Sequence, residues 1–556
     1  MALLSGAMKG PVRLSRRTIP SAAFACAPLL ALALASPASG EPARVALDAQ
    51  RWWSHVSFLA SDRLEGRETG SAGYKKASRY VATRLRQAGA GPAGTDGYFQ
   101  PVGFNARRIR EGESSASLVN GAEIEPLVAG RDFVFVLRSE PAKSVDAPLV
   151  FVGYGLSIPE ERHEDLAGLD LRGKIAVFLS GAPKSIPATL AAHASAGKQR
   201  WAAFRKAGAV GEIRITSPLH RERAWEIGAR SRFLPSMSLA DPTLADSAGQ
   251  EIVLSFNPAS AEKLFAGSGH TFSEIVDASR RDAPLQGFPL RRSLRATVRD
   301  DRWTLESDNV AGVLRGSDPV LRSEYVVLSA HLDHLGVGEP VAGDRIYNGA
   351  MDNASGVATL LETAEALHES GKRWKRSVLF LAVTGEEKGL LGSEFFAAHP
   401  TVPADSIVAN VNVDMFLPIF PLRLLTVEGL NESDLGPRLA AVAKARGVEV
   451  QADPYPERNY FIRSDEYNFV LRGIPAIDFG VGSIPGSAEA QAEENWIREH
   501  YHAPSDDTSQ KVDFECAAAY NRIVEALVEE IANDPARPHW KPESFFRRFA
   551  AGMPPY

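Results

Sequence analysis

The chain has 556 residues, 44% of them hydrophobic and 23% charged, with a formal net charge of −6. That length exceeds what one hydrophobic core covers, so two or three domains are expected. The mild acidity excludes the clustered basic surface of a nucleic-acid binder. The absence of long charged runs excludes a tail for a polyanion or membrane partner.

The first 40 residues read as an export signal. Lys9, Arg13, Arg16 and Arg17 form a positive start, Ala22 to Ala35 an apolar stretch, and Ala38-Ser39-Gly40 a small-residue cleavage site. The stretch is shorter than the ~20 residues that span a bilayer, and Pro28 interrupts it. Ser15-Arg16-Arg17-Thr18-Ile19 partly resembles a twin-arginine signal, but general export is the expected route. The expected location is the periplasm or the outside of the cell, with no membrane contact after cleavage. Of two cysteines, Cys26 lies in this segment. The mature chain keeps Cys516 alone, which excludes an internal disulfide and reads as a buried apolar residue.

Residues 41–132 open on a helical pattern from about Leu47 to Gln87, broken by a Gly-rich turn from Gly66 to Gly73. Gly89 and Pro92 end it. Residues 133–295 have a different texture. Leu149–Val152 and Ile175–Leu179 are short apolar runs bounded by turn residues and predict strands. Trp201–Ala207 predicts a helix feeding a strand over Glu212–Thr216. This segment is expected to be a separate α/β or β-rich module.

Residues 296–556 carry four apolar runs: Tyr325–Ser329, Val378–Val383, Ile407–Val413 and Ile474–Ile477. Between the first two, Val357, Leu360, Leu361, Ala364 and Leu367 share one helical face. Apolar strands alternating with helices predict an α/β fold, its mainly parallel central sheet flanked by helices.

Polar residues stand where these strands end. His331, Asp333 and His334 follow the first, Glu386 and Glu387 the second, and Asp414 the third. Ligands of open α/β sheets bind at the carboxyl ends of strands, so three ends deliver imidazole and carboxylate to one edge. A Gly-punctuated loop, Asn348 to Gly356, adds Asp352 at a helix start. Singly, each residue reads as ordinary surface chemistry, and Glu386-Glu387 could be a helix start. Together, two His and three carboxylates make a nitrogen and oxygen shell suited to zinc. Two divalent ions ~3.5–4 Å apart can share one carboxylate and activate a water. A nearby carboxylate that is not a ligand can take that water's proton. On residue type alone, His500 and His502 are equivalent candidates for the last imidazole.

These segments resemble the co-catalytic zinc exopeptidases, the family of bacterial and fungal aminopeptidases and glutamate carboxypeptidase. The resemblance rests on Ala330-His331-Leu332-Asp333-His334-Leu335-Gly336, the Gly349–Gly356 loop, Thr384-Gly385-Glu386-Glu387-Lys388-Gly389, Asn412-Val413-Asp414-Met415, Arg463-Ser464-Asp465 and Tyr501-His502-Ala503-Pro504-Ser505-Asp506. It implies two Zn(2+) ions per subunit. His331 and Asp414 would hold one, Glu387 and His502 the other, and Asp352 would bridge them. Glu386 would be the general base, and Asp333 would orient His331. Arg463, Ser464 and Asp465 would contact substrate, while His334 and His500 would make local hydrogen bonds. Leu64-Glu65-Gly66-Arg67-Glu68-Thr69-Gly70 resembles the opening of the family's catalytic domain. Val150 to Gly155 with Leu169 to Lys174 resembles an inserted protease-associated domain, which by analogy narrows access to the metals. Two positions depart from relatives in the pocket: Glu466, where His or Gln is frequent, and Met351.

The resemblance implies a secreted aminopeptidase acting on peptides, with no nucleic-acid partner. A carboxypeptidase or dipeptidase on the same site is the alternative, with Arg463 as a candidate for a carboxylate. A receptor that has lost catalysis is disfavoured because every ligand position is filled. The same chemistry also serves amidases and cyclising enzymes.

Overall fold

The computed structural model describes residues 41–219, 225–245 and 247–552, with side chains from residue 47 onward. The expected signal, residues 1–40, lies outside them. Among the described residues, no helix is long and apolar enough to cross a membrane.

The main sheet is mixed. Its centre is four parallel strands in the order Ser377–Val383, Tyr325–His331, Ile407–Asn412 and Ala476–Val481. On one side the antiparallel strands Asp300–Leu314, Phe99–Ile109 and Ser236–Leu239 extend it. On the other, Leu424–Glu428 pairs antiparallel with the centre and parallel with Glu449–Ala452. The expected parallel sheet is thus the centre, and mostly antiparallel strands extend it on both sides. The long pair Phe99–Ile109 and Asp300–Leu314 was not anticipated. Its runs carry Arg107, Arg108, Asp301 and Glu306 among the apolar residues, so they do not read as buried strands.

The central strands are buried along their whole lengths because both faces are covered. Alternation divides their side chains. Val326, Leu328, Ala330, Val378, Phe380 and Ala382 join a core shared with helices Glu41–Leu59, Ala72–Gln87, Ser355–Glu369 and Phe514–Asn533. Val327, Leu379, Leu381 and Val383 face the other way, onto Phe396, Phe469 and Phe546. The fourth central strand begins two residues later than expected because Pro475, which lacks an N–H, sits before it.

The expected break in the first helix is a short turn, Asp62–Arg67, before helix Ala72–Gln87. Ser71 caps that helix, accepting the Tyr74 amide at 3.0 Å. Gly73 permits the turn to close, since a Cβ there would collide with the Leu64 carbonyl.

A second sheet holds the strands Glu123–Leu127, Ser115–Asn120, Phe288–Thr297, Ser144–Phe151, Ile175–Leu179, Gly211–Ile215, Ile252–Phe256 and Phe133–Phe135, in that order. It starts at Ser115, earlier than the expected boundary at residue 133. Ser115–Asn120 pairs antiparallel with Phe288–Thr297 and buries only Ala116 and Leu118, too weak an apolar signal to mark a strand. One segment inside the module, Ser236–Leu239, leaves it to pair with Phe99–Ile109 of the main sheet.

Candidate metal centre

Strand ends and one loop bring the predicted residues together. His331 is the last residue of Tyr325–His331 and is 1% exposed. Its Nε2 lies 3.1 Å from Asp414 Oδ1 and 3.2 Å from Asp352 Oδ1. The other oxygen of Asp352, Oδ2, lies 3.3 Å from His502 Nε2, which is also 3.3 Å from Glu387 Oε2. Asp352 therefore presents one oxygen to each of two donor clusters. His502 follows helix Ala488–Glu499 with φ +53°. His500 sits elsewhere, bound to the Ser505 carbonyl at 2.7 Å.

These spacings fit metal coordination. Donors ~2.0–2.2 Å from a tetrahedral zinc stand ~3.4 Å from one another. The contacts of His331 and His502 match that separation. His334 contrasts with them. Its Nδ1 is 2.7 Å from Glu387 Oε1, a hydrogen-bonding distance, and 4.0 Å from Asp352 Oδ2. It suits a residue that orients Glu387. The donor set, two imidazoles and three carboxylates, is one that zinc accepts.

Glu386 stands beside the clusters, its Oε2 3.9 Å from His331 Nε2. Burial, together with the negative charges of Glu387, Asp414 and Asp465, raises its carboxyl well above the usual range, against the pull of His331. Burial also favours neutral Glu387, but the imidazoles of His502 and His334 outweigh it and hold that carboxyl low. Asp352 is likewise held well below the usual range, burial being outweighed by hydrogen bonds from His331 and His502. Asp333 is placed differently from expectation. His331 Nδ1 contacts its backbone carbonyl at 3.1 Å. Its carboxylate instead accepts the Glu386 amide at 3.1 Å and the Thr69 hydroxyl at 2.9 Å. Asp333 thus steadies Glu386 as well as His331.

The three residues expected to contact substrate divide. Arg463 lines the cavity over the centre. Ser464 also borders it, but its hydroxyl is committed to Asp414 Oδ2 at 2.6 Å. Asp465 is fully buried, which removes it from the substrate surface.

Residues 309–528, which contain every one of the five donors and Glu386, match the sequence profile of peptidase family M28. That segment, less than half of the chain, is similar to family M28. Among curated relatives it resembles the probable leucine aminopeptidase 2 of Aspergillus oryzae, 27% identical over 241 residues, covering 41% of this chain and 45% of that protein. It also resembles aminopeptidase NAALADL1 of Mus musculus, 30% identical over 151 residues, 26% of this chain and 18% of that one. The glutamate carboxypeptidase 2 homolog of Caenorhabditis elegans is 30% identical over 146 residues, 25% and 17% of the two chains. The match thus spans less than half the length of each of these three relatives. Among solved structures, the aminopeptidase from Aneurinibacillus sp. strain AM-1 shares the fold, with a TM-score of 0.53 and 21% identity across 89% of this chain and 97% of that one.

The M28 segment is completed by a residue outside it. Arg67 is fully buried and sends its guanidinium to the carbonyls of Leu332, Leu59, Asn348 and Gly349 at 2.6–3.0 Å. It ties the turn Asp62–Arg67 to the His331 and Asp352 loops and puts positive charge behind the carboxylates. Burial lowers its pKa to about 10. Asp506 accepts the amides of Met351 and Asp352 at 2.9 and 3.0 Å. Asn353 bonds the Val413 carbonyl and the Met415 amide, locking the Asp352 loop to the Asp414 strand end. The motifs containing Arg67 and Asp506 stood out in the sequence, but their side-chain roles needed the fold.

A second His–carboxylate group lies away from the centre, between helices Glu41–Leu59 and Ser355–Glu369. His55 Nε2 is 3.6 Å from Glu362 and 3.8 Å from Glu365. Arg51 already approaches Glu362 at 3.4 Å, so a cation is present in the protein itself.

Proposed function

We propose that the chain is an exported aminopeptidase that removes N-terminal residues from peptides with two zinc ions. The observation that carries this reading is Asp352, whose two oxygens face His331 and His502 at 3.2 and 3.3 Å. The names of the A. oryzae and mouse relatives support the aminopeptidase choice. The small-residue cleavage site after Ala22 to Ala35 supports export.

His331, Asp414 and one oxygen of Asp352 would hold one ion, and His502, Glu387 and the other oxygen the second. When bound, the pair supplies Lewis acidity toward the scissile carbonyl and acidifies a water. Glu386 takes the attacking water's proton on its carboxylate and returns it to the departing amine. The Asp333 carboxylate fixes the Glu386 backbone at 3.1 Å, so the base is aimed before substrate arrives.

A panel of N-blocked and C-blocked peptides tests the assignment. Cleavage of C-blocked peptides alone supports an aminopeptidase, and cleavage of N-blocked peptides alone overturns it in favour of a carboxypeptidase. Activity that survives complete metal removal overturns the two-zinc mechanism.

A further inference from the structure

Helix Ser355–Glu369 starts three residues after Asp352, and helix Glu41–Leu59 packs against it. Trp52 Nε1 fixes the contact at its base, donating to the Ser355 carbonyl at 3.1 Å. Further along, His55 of the first helix faces Glu362 and Glu365 of the second, which are three residues apart and therefore on one side. His55 and Glu362 are buried, and the Glu365 side chain is 19% exposed.

The distances in this group do not suit hydrogen bonds. His55 Nε2 is 3.6 Å from Glu362 Oε1 and 3.8 Å from Glu365 Oε1, beyond the reach of an N–H donor. Glu362 Oε1 is buried with no hydrogen-bond partner among the described residues. His55 Nδ1 and the Tyr80 hydroxyl are 2.7 Å apart, so the ring is fixed from behind. Either tautomer leaves the front unsatisfied. An Nε2–H would stand too far from both oxygens, and an Nε2 lone pair would face two carboxylates. The separations instead lie within a few tenths of an ångström of the ~3.4 Å between donors around a tetrahedral zinc. A partner fixing the second nitrogen is the usual arrangement behind a metal-bound imidazole.

The nearby cations do not fill this gap. Arg51 reaches the other oxygen of Glu362, Oε2, at 3.4 Å, and spends its remaining nitrogens on Asp48 at 3.2 Å and Glu369 at 3.3 Å. Arg84 lies over the Tyr80 ring, 5.1 Å from its centroid, and donates to Gln87. Asp48, Glu362, Glu365 and Glu369 thus face two guanidinium groups. Burial raises the Glu365 carboxyl; His55 opposes this and the charge of Glu362 adds to it. One nitrogen and two carboxylate oxygens, all within 4.8 Å of one another, form a donor set that zinc accepts.

We propose that His55, Glu362 and Glu365 bind a structural zinc ion that pins helix Glu41–Leu59 to the helix following the Asp352 loop. The exposed edge of Glu365 gives the ion a route in and leaves a fourth position to solvent. This site is separate from the Asp352 centre and does not depend on the peptidase reading.

The full chain, stripped with a chelator, dialysed against zinc and desalted, is assayed for zinc per chain. His55→Gln and Glu365→Gln should each bind one zinc fewer than wild type. That difference separates this site from the Asp352 centre: without zinc at Asp352 all totals fall together, and the difference of one remains. Equal zinc content in wild type and the folded variants overturns the site. If His55→Gln does not fold, the partly exposed Glu365→Gln and a crystal of the wild type decide. Diffraction at the zinc absorption edge should give an anomalous peak ~2.0–2.1 Å from His55 Nε2. Zinc-soaked crystals with no peak there overturn the proposal.

Discussion

Ser464 donates its hydroxyl to Asp414 Oδ2 at 2.6 Å, leaving Oδ1 turned toward His331. The same hydroxyl accepts from Asn412 Nδ2 at 2.8 Å, and Asn412 in turn accepts the Ser329 hydroxyl at 2.6 Å. A chain of buried hydrogen bonds thus runs across two neighbouring strands and ends on a carboxylate donor. Such partners behind a ligand set its orientation. Ser464→Ala should weaken metal retention ~10–100-fold, the usual cost of losing a partner behind a ligand. Competition with a graded series of chelators measures this, and unchanged retention would show that Asp414 is held by other contacts.

Glu386→Gln should lower turnover at least ~100-fold while the protein keeps its bound metal, because general-base transfer contributes roughly 10²–10⁴. Activity on aminoacyl-anilides and metal content after dialysis are the two readouts. Loss of metal in this variant would make Glu386 a ligand and would reverse its division of labour with Glu387.

Arg67→Ala should destabilise the fold by roughly 3 kcal/mol or more, since buried carboxylates lose their neighbouring cation. Four carbonyls, those of Leu332, Leu59, Asn348 and Gly349, lose their donor at the same time. Arg67→Lys should recover only part of this, because an ammonium cannot span four acceptors in one plane. Thermal unfolding of the three proteins gives the comparison. A melting temperature for Arg67→Ala within a degree of wild type would place the clamp elsewhere.

The central strands were legible because each is a continuous apolar run, and their ends named His331, Glu386, Glu387 and Asp414. The Asp352 loop announced itself through its glycines, but only the fold turns its two oxygens toward different imidazoles. The choice between His500 and His502 had no basis in residue chemistry. It follows from the turn after helix Ala488–Glu499, which points one imidazole at Asp352 and the other at the Ser505 carbonyl. Arg67 and Asp506 were hidden for a related reason. They act on backbone groups brought close by long-range packing, and no local spacing encodes such a partner. The strands Ser115–Asn120 and Ser236–Leu239 bury too few side chains to be visible outside their pairings.

His193 supplies a pH-dependent link between the second module and the M28 segment. It lies on helix Ala188–Ser195, bonds the Tyr467 hydroxyl through Nδ1 at 2.7 Å and packs among Phe545, Phe546 and Phe549. Burial lowers its pKa to about 4; the nearby Arg548 adds to this, and Glu160 opposes it. The unfolded chain would titrate this histidine near 6.5. Because the folded value is the lower one, the unfolded state takes up the proton first. The contribution to stability is therefore complete above pH 6.5 and is lost as pH falls toward 4. The full span is worth about 3 kcal/mol at most. His193→Gln keeps a hydrogen-bonding group without the titration. Its melting temperature should fall less steeply than that of wild type between pH 6.5 and 4, and the two should run parallel above pH 7. Parallel curves across the whole range would show that His193 is not the group that loosens this contact in acid.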